Sequence, residues 1–592
     1  MNALISPLAE GSPFFTFVLR LFPDGLTLNI MTLSGLTVAV GRVVDDSIVV
    51  LENIFKQLQA GDDKKTAILT GTRDVSAAIF VATMIAVVVF LPLGLTGGII
   101  GAFFLPFGLA VTYALIGSFV VALTVVPALA YIFVSPDDMP EDDEDFWLSR
   151  YYTPVLKLAL ANRLTITVVI ALAILSAGFG GYLFSQRPAA FLPDFGEPQV
   201  TINVDLPPST RITETNELVS ELERYITATV PAEELGTIQT VIGGSGLDFE
   251  ALLTGGSVAE NRANITVGLN TGTGQLDEWT RIIREEAEVI FGDENVVVSA
   301  ASVASGGFGG FSLVVSGPQE TLAELDPIII ETLNAIEGIA NVASNLSEAA
   351  ASDDPATTTY IRVNQQSAIS YSAELETDDT LGVTADAIAA IEALPDLPEG
   401  IAVSQGFESE LQTEGFQSLG VAIVIALIIV IVILFVTFNS PVYWLAIIFS
   451  VVTAPVGAAI ALTLTDRVLG ISALIGLLML LGLVITNAVV LLDRVRSNIS
   501  ERNMSLYDAL IEAGARRLRP ILMTSLATII ALMPLTVGLS EGAIIASELG
   551  TVVVGGVFSS TLLTLIVVPT VYYVLTPLHR FLLGLVGLKA RR

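Results

Sequence analysis

The stretch "LTLNIMTLSGLTVAVGRVVDDSIVVLENI", residues 26–54, places Arg42, Asp45 and Asp46 inside an otherwise apolar run long enough to cross a bilayer. Insertion scales charge about 2.5–3.5 kcal/mol for an Asp at the centre of a membrane helix. Adjacent carboxylates in that setting are expected to face a bundle interior and to titrate as one coupled pair, as a proton pathway requires. Arg42 precedes the pair by one helical turn and shares its face, so it is placed to balance the charge of Asp45 or Asp46.

The same frame returns as "LGISALIGLLMLLGLVITNAVVLLDRV" at 469–495. It sets Gly41 on Gly482, Asp45 on Thr486, Asp46 on Asn487 and Glu52 on Asp493. "FLPLGL" (90–95) answers to "LMPLTV" (532–537), and "LTVVPALAYIF" (123–133) to "LIVVPTVYYVL" (565–575). A near-constant offset across three segments signals an internal repeat of the kind that builds membrane transporters. In the second copy both carboxylates are replaced by Thr486 and Asn487. These neutral groups can hydrogen-bond a facing carboxylate, or simply join helices.

Composition agrees with a membrane protein. The 592 residues have a mean hydropathy of +0.73, with 53% hydrophobic and only 15% charged residues, where a soluble chain carries about 25%. Apolar blocks predict spans at about 28–54, 76–97, 103–134, 164–185, 415–438, 442–464, 470–494, 519–539 and 543–576, with 14–22 a shorter apolar piece. "WLSRYYTPVLKLALANR" (147–163) reads as an amphipathic interfacial helix anchored by Trp147, Tyr151 and Tyr152.

The polar stretch between the spans alternates strand-like runs (198–206, 237–244, 263–270, 294–301, 311–317, 358–363, 366–375, 400–407) with helix-like runs (212–229, 276–291, 319–337, 383–393). The fold class expected is therefore an α-helical polytopic membrane protein with an extracytoplasmic α+β domain of two ferredoxin-like, split βαβ, subdomains. Its divisions are 1–135, a first transmembrane part with three full spans and a partial one; 136–163, a cytoplasmic linker and amphipathic helix; and 164–185, a span. Then come 186–414, the extracytoplasmic domain (about 186–303 and 310–408); 415–578, five spans; and 579–592, a cytoplasmic tail. "ASGGFGGF" (304–311) reads as the hinge between the subdomains.

Orientation follows from basic residues. Arg494, Arg496, Arg502, Arg516, Arg517 and Arg519 cluster in one inter-span loop, and Lys56, Lys64, Lys65 and Arg73 in another. The positive-inside rule makes both cytoplasmic and the polar domain extracytoplasmic.

Several chemistries are excluded. The chain has no cysteine and a single histidine, His579, so thiolate chemistry, a histidine metal cluster and a serine–histidine site are ruled out. No cofactor or metal is expected. A net charge of −33 argues against nucleic acid.

"VGRVVDDSIVVLENI" (40–54), "RLRPILMTS" (517–525) and the later "VVP" (567–569) resemble the hydrophobe/amphiphile efflux branch of the resistance–nodulation–division (RND) superfamily. The resemblance implies proton-driven export at the inner membrane, with Asp45 and Asp46 carrying protons and Arg517 and Thr524 completing the relay. Where the family usually sets a pairing lysine, this chain has Thr486, so Arg42 is expected to take over part of that charge balance. The resemblance also implies porter subdomains, a homotrimer, a periplasmic adaptor protein and contact with membrane lipid. The family's docking subdomain has only the short "NLSEAAASDDPATTTYIRV" (345–363) in its place, which weakens the adaptor expectation.

Against the family pattern, the first span, the first extracytoplasmic domain and the second span are expected to be missing. A lipid-type exporter of the same superfamily and a truncated, non-transporting fragment are the alternative readings. Soft-metal export is disfavoured, because no methionine, cysteine or histidine lies between Pro140 and Leu478. Small amphiphilic substrates are expected instead, with Phe249, Phe308 and Phe311 as candidate pocket residues and 243–257 at the family's substrate-switching loop.

Overall fold

The structure is a computed structural model. It describes residues 27–94, 98–134, 147–190, 199–207, 209–243, 260–269, 273–292, 295–301, 311–346, 361–363, 365–375, 377, 379–395, 397–398, 400–438, 440–538 and 544–585. Phe249, Phe308, the linker 136–146 and most of the stretches 243–257, 304–311 and 345–363 lie outside the described residues.

The repeat becomes two three-helix units. The first is α1 (Ile30–Gln59), α2 (Lys64–Phe90) and α3 (Gly98–Phe133). Next come α4 (Ser149–Ala161) and α5 (Arg163–Ser185). After the α+β region run α10 (Phe407–Phe438), α11 (Pro441–Thr453), α12 (Pro455–Leu464), and the second unit, α13 (Ile471–Ser500), α14 (Leu506–Val537) and α15 (Ile544–Leu585). Each unit packs internally, and the units pack crosswise, α1 on α14 and α13 on α2. That exchange is what a two-fold relation between the repeats requires.

Eight of the described segments are long and apolar enough to cross a membrane, with α11 and α12 forming one span of 24 residues. The chain is thus a multi-pass membrane protein. α1 has comparable length but holds Arg42, Asp45 and Asp46 near its middle. Asn29 starts it, its side chain accepting from the Thr32 amide at 2.9 Å while Thr32 Oγ1 accepts from the Asn29 amide at 2.8 Å. This reciprocal cap satisfies otherwise orphaned donors.

α4 differs from the sequence expectation. Trp147 and Tyr151 are exposed, as interfacial anchors should be, but Tyr152 is buried. Its hydroxyl donates to the Leu565 carbonyl of α15 at 2.8 Å, and its ring lies over Gly514 of α14. Tyr152 is a fastening between helices, and the absence of a side chain at Gly514 makes room for it.

Between α5 and α10 the chain forms two α+β units. The first runs β1 (Gln199–Asp205), α6 (Ile212–Thr229), β2 (Leu235–Ile242), β3 (Arg262–Leu269), α7 (Thr273–Phe291) and β4 (Val296–Ala301), with strand order β2-β3-β1-β4. The second runs β5 (Phe311–Gly317), α8 (Gln319–Asn334), β6 (Ile339–Ser344), β7 (Ile361–Val363), β8 (Gln366–Leu375), α9 (Thr380–Glu392) and β9 (Ala402–Gln405), with order β6-β8-β5-β9 and β7 on β8. All pairings are antiparallel, with Ile202 opposite Ile265 in one sheet and Leu313 opposite Tyr371 in the other.

Each unit has its own apolar core between sheet and helices. Alternation buries every second residue of β1 and β3, the pattern of a sheet with one covered face. β6 was not expected from the sequence, which continues α8 to Glu337. The helix instead ends at Asn334, and Gly338, at φ +93°, turns the chain into the strand.

Candidate functional site

The charged segment of α1 lies where the two repeats meet. Gly41 permits the approach: a Cβ there would stand 3.2 Å from the Thr528 Cα of α14. The Thr528 hydroxyl has one proton to donate, to the Thr524 carbonyl at 3.0 Å or to the Gly41 carbonyl at 3.4 Å. The next residue, Arg42, points into the bundle, and one turn later Asp45 and Asp46 are only 8% and 5% exposed.

Arg42 Nη1 donates to Asp45 Oδ2 at 2.5 Å, and Nη2 donates to Thr486 Oγ1 of α13 at 2.9 Å. Thr486 passes its own proton to the Gly482 carbonyl at 2.9 Å. Thr486 is therefore an acceptor for the guanidinium, joining α13 to α1 rather than donating to a facing carboxylate. The shorter threonine leaves the space that Arg42 crosses, so one cation reaches both repeats.

Asp46 has different partners. Thr83 of α2 and Ser118 of α3 aim their hydroxyls at Asp46 Oδ2 from 3.4 and 3.5 Å, and Ser118 also bonds the Val43 carbonyl at 3.0 Å. The adjacent carboxylates are thus held unequally, Asp45 by a cation and Asp46 by two long hydroxyl contacts. Thr83, Ser118 and Thr528 are site residues that sequence reasoning missed. Serine and threonine inside spans commonly bond their own helix, so nothing local singled them out.

A cavity of about 650 Å³ begins at Asp45 and Asp46 and runs towards the arginine-rich end of the bundle. Asn487 and Thr524 share its wall with the two carboxylates, and Lys56, Arg494 and Arg502 lie farther along it. Arg517 also lines it but sits at that end, where its charge faces Glu52 and Asp493 rather than the aspartates. On the opposite side of Arg42 the bundle closes: Val38, Phe90, Val111, Leu115, Met479 and Leu483 surround a space of about 20 Å³, room for about one water. The carboxylates therefore share a cavity with one end of the bundle, and apolar side chains line the narrower space on the other side of Arg42.

Phe311 lines neither of these two cavities. It begins β5 at 2% exposure, packed into the core of the second α+β unit. No group of three or more potential metal-ligating side chains occurs among the described residues.

The site is thus an ion pair buried between two repeated helix triplets of a multi-pass membrane protein, beside a cavity that runs to one end. The sequence model of the AcrB/AcrD/AcrF family matches residues 12–351 and 311–576, and the chain belongs to that family of RND permeases. Among similar proteins, the swarming motility protein SwrC of Bacillus subtilis (strain 168) is 30% identical over 98% of this chain and 62% of its own length. The multidrug resistance protein MdtC of Pantoea ananatis (strain AJ13355) is 27% identical over 94% of this chain and 62% of its own. A crystal structure of a heavy metal efflux pump superposes with a TM-score of 0.73 at 21% identity, covering 92% of this chain and 62% of that one. The chain thus spans about three fifths of the length of these relatives.

Proposed function

We propose that this chain is a subunit of an inner-membrane exporter driven by the proton-motive force and acting on hydrophobic or amphiphilic compounds. The observation that carries the reading is the Arg42–Asp45 pair at 2.5 Å, with Asp46 beside it, at the closed end of a cavity that opens towards the arginine-rich end. Protonation of Asp45 would release Arg42 to Thr486 alone and loosen the tie between the repeats. Deprotonation would restore it. An element with two such arrangements, biased by a proton, is what coupling needs.

In this reading the arginine-rich end is cytoplasmic, by the positive-inside rule. The two α+β units are then porter subdomains outside the membrane, a reading supported by their common split βαβ connectivity and antiparallel sheets. Asn487 and Thr524 serve the relay as polar neighbours of the carboxylates, and Arg517 serves it from the cytoplasmic mouth. A homotrimer and a periplasmic adaptor belong to the same proposal, by analogy with the family. Amphiphilic cargo is favoured over soft metal ions, because the segment that would meet cargo has no methionine, cysteine or histidine.

The test is proton flux and dye export in liposomes holding this chain alone, with Asp45→Asn and Asp46→Asn beside it. Coupled flux and export in the parent, lost in both variants at equal insertion, is the expected result. Full export in both variants would overturn the proton relay, and no export by the parent would favour a non-transporting fragment.

A further inference from the structure

A second buried carboxylate lies at the other end of the bundle. Glu548 is in the first turns of α15, close to the α+β units, and is 1% exposed. No group among the described residues meets full hydrogen-bond geometry with either of its oxygens, although the Ala473 amide in the first turn of α13 faces the carboxyl. It lies over Gly470, the residue that begins α13 and offers no capping side chain, and a Cβ on Gly470 would collide with Glu548 Oε2. The carboxyl thus occupies the place of a missing N-cap, where a helix presents free amides and the positive end of its dipole.

Among the described residues one charged group faces it. Arg467, in the turn before α13, donates from Nη1 to the Ser547 carbonyl at 2.8 Å and to Thr551 Oγ1, and from Nη2 to the Thr536 carbonyl at 2.8 Å. All three acceptors are neutral, so the charge of Arg467 is left to act on Glu548 across the gap. The neighbouring Asp466 turns away to Arg187 at 3.0 Å. From α13 the first-turn backbone around Ala473 faces Glu548, and α14 contributes the Thr536 segment that Arg467 grips.

The turn that holds Arg467 is also fastened to the soluble region. The Leu469 amide donates to the Pro188 carbonyl at 2.9 Å. The next residue, Ala189, donates its amide to Asp379 Oδ1 at 3.1 Å and accepts from the Leu381 amide at 3.2 Å. Asp379 caps α9 of the second α+β unit through the Gly382 amide at 3.1 Å. An unbroken series of bonds therefore runs from the neighbours of Glu548 to that unit.

We propose that Glu548 is a second proton-binding carboxyl of the transport cycle, whose charge positions Arg467 and, through the 466–469 turn, the second α+β unit. Two opposed influences set its state. Burial penalises the ionised form, whereas Arg467 and the first-turn amides of α13 at Ala473 favour it. A small displacement of the turn changes that balance, and by linkage a change of charge at Glu548 displaces the turn. Along α15 no polar side chain links Glu548 to the depth of Asp45. Between Thr551 and Ser559, α15 advances about 12 Å with no polar side chain. Glu548 is a positioning residue, and the inference rests on the proton-driven reading.

The experiment uses the full chain in liposomes with the pH varied on the side of the α+β units only. Above its titration range a single required proton makes export fall about tenfold per pH unit. Glu548→Gln is expected to flatten that slope to less than about twofold, and Glu548→Asp to restore it. In parallel, infrared difference spectra on a pH step follow the protonated-carboxyl band in an Asp45→Asn/Asp46→Asn background, where Glu548→Gln should remove one component. An unchanged slope together with an unchanged band overturns the proposal. Because the infrared arm needs no transport, a failure of the aspartate relay leaves it standing as a separate result. If Glu548→Gln does not fold, the slope of Glu548→Asp and the band of the parent background decide.

Discussion

Replacing Arg42 by methionine removes the cation between the repeats and leaves Asp45 buried without its charged partner. Two unit charges about 4 Å apart attract by about 4 kcal/mol at an effective dielectric of 20. Breaking a buried pair from one side typically costs about 3–5 kcal/mol. Arg42 and Asp45 meet at 2.5 Å, both nearly inaccessible, which places them in that range. Asp45 can limit the loss by taking a proton, so Arg42→Met alone is expected to cost about 3 kcal/mol at neutral pH. Asp45→Asn alone leaves the guanidinium with Thr486 and should cost about 2 kcal/mol. The double variant has no stranded charge and should lie within about 2 kcal/mol of the parent, a coupling of about 3 kcal/mol. Reversible unfolding of the four proteins in bilayer discs measures the cycle. Costs that add to within about 0.5 kcal/mol would refute the idea that the pair acts as a unit across the repeat interface.

Other substitutions probe the same frame. Gly41→Val should abolish proton flux while preserving insertion, because its Cβ would press on the Thr528 backbone from 3.2 Å; Gly482→Ala, whose Cβ meets Ala86 at an ordinary 3.6 Å, should retain flux. Thr83→Val with Ser118→Ala strips Asp46 of both hydroxyls and should displace the pH midpoint of proton uptake, whereas Thr124→Val, on an exposed face of α3, should not. Tyr152→Phe loses the bond to the Leu565 carbonyl and should lower stability by about 1 kcal/mol in the same unfolding assay, with export unchanged at permissive temperature.

The core of the site could be read from the sequence because its signal is energetic. Arg42, Asp45 and Asp46 stand out against "VAV" and "SIVVL", and the offset repeat pairs α1 with α13. The charges alone did not reveal how they are held. Thr83 lies 37 residues from Asp46 and Ser118 lies 72, and each belongs to a span that carries other hydroxyls, so their convergence exists only after three helices pack. β6 escaped for a related reason. "IANVAS" has little branched or aromatic character and becomes a strand by pairing with β8, from Ile339 opposite Leu375 to Ser344 opposite Tyr371. Arg517 could be picked out only through the resembling motif "RLRPILMTS", and its sequence position did not reveal that Glu52 and Asp493 would be its charged neighbours.

The repeat also explains why charge gathers at these places. Two equivalent helix triplets packed crosswise would by themselves have equivalent interiors. The first copy carries the aspartates, and Thr486 in the second makes room for an arginine from the first. One ion pair and one hydrogen bond then join the halves without a second charged helix. At the far end the inequality is reversed, since Arg467 and Glu548 both belong to the second half and their pseudo-equivalent positions in the first hold no charge. Each repeat therefore carries buried charge at a different depth, Asp45 beside the cavity and Glu548 beside the attachment to the α+β units. A rocking of one half against the other would alter the surroundings of both sites in one movement. In the proposed cycle, such a movement would be the physical link that alternating access requires between the aspartates in the bundle and a substrate path through the α+β units.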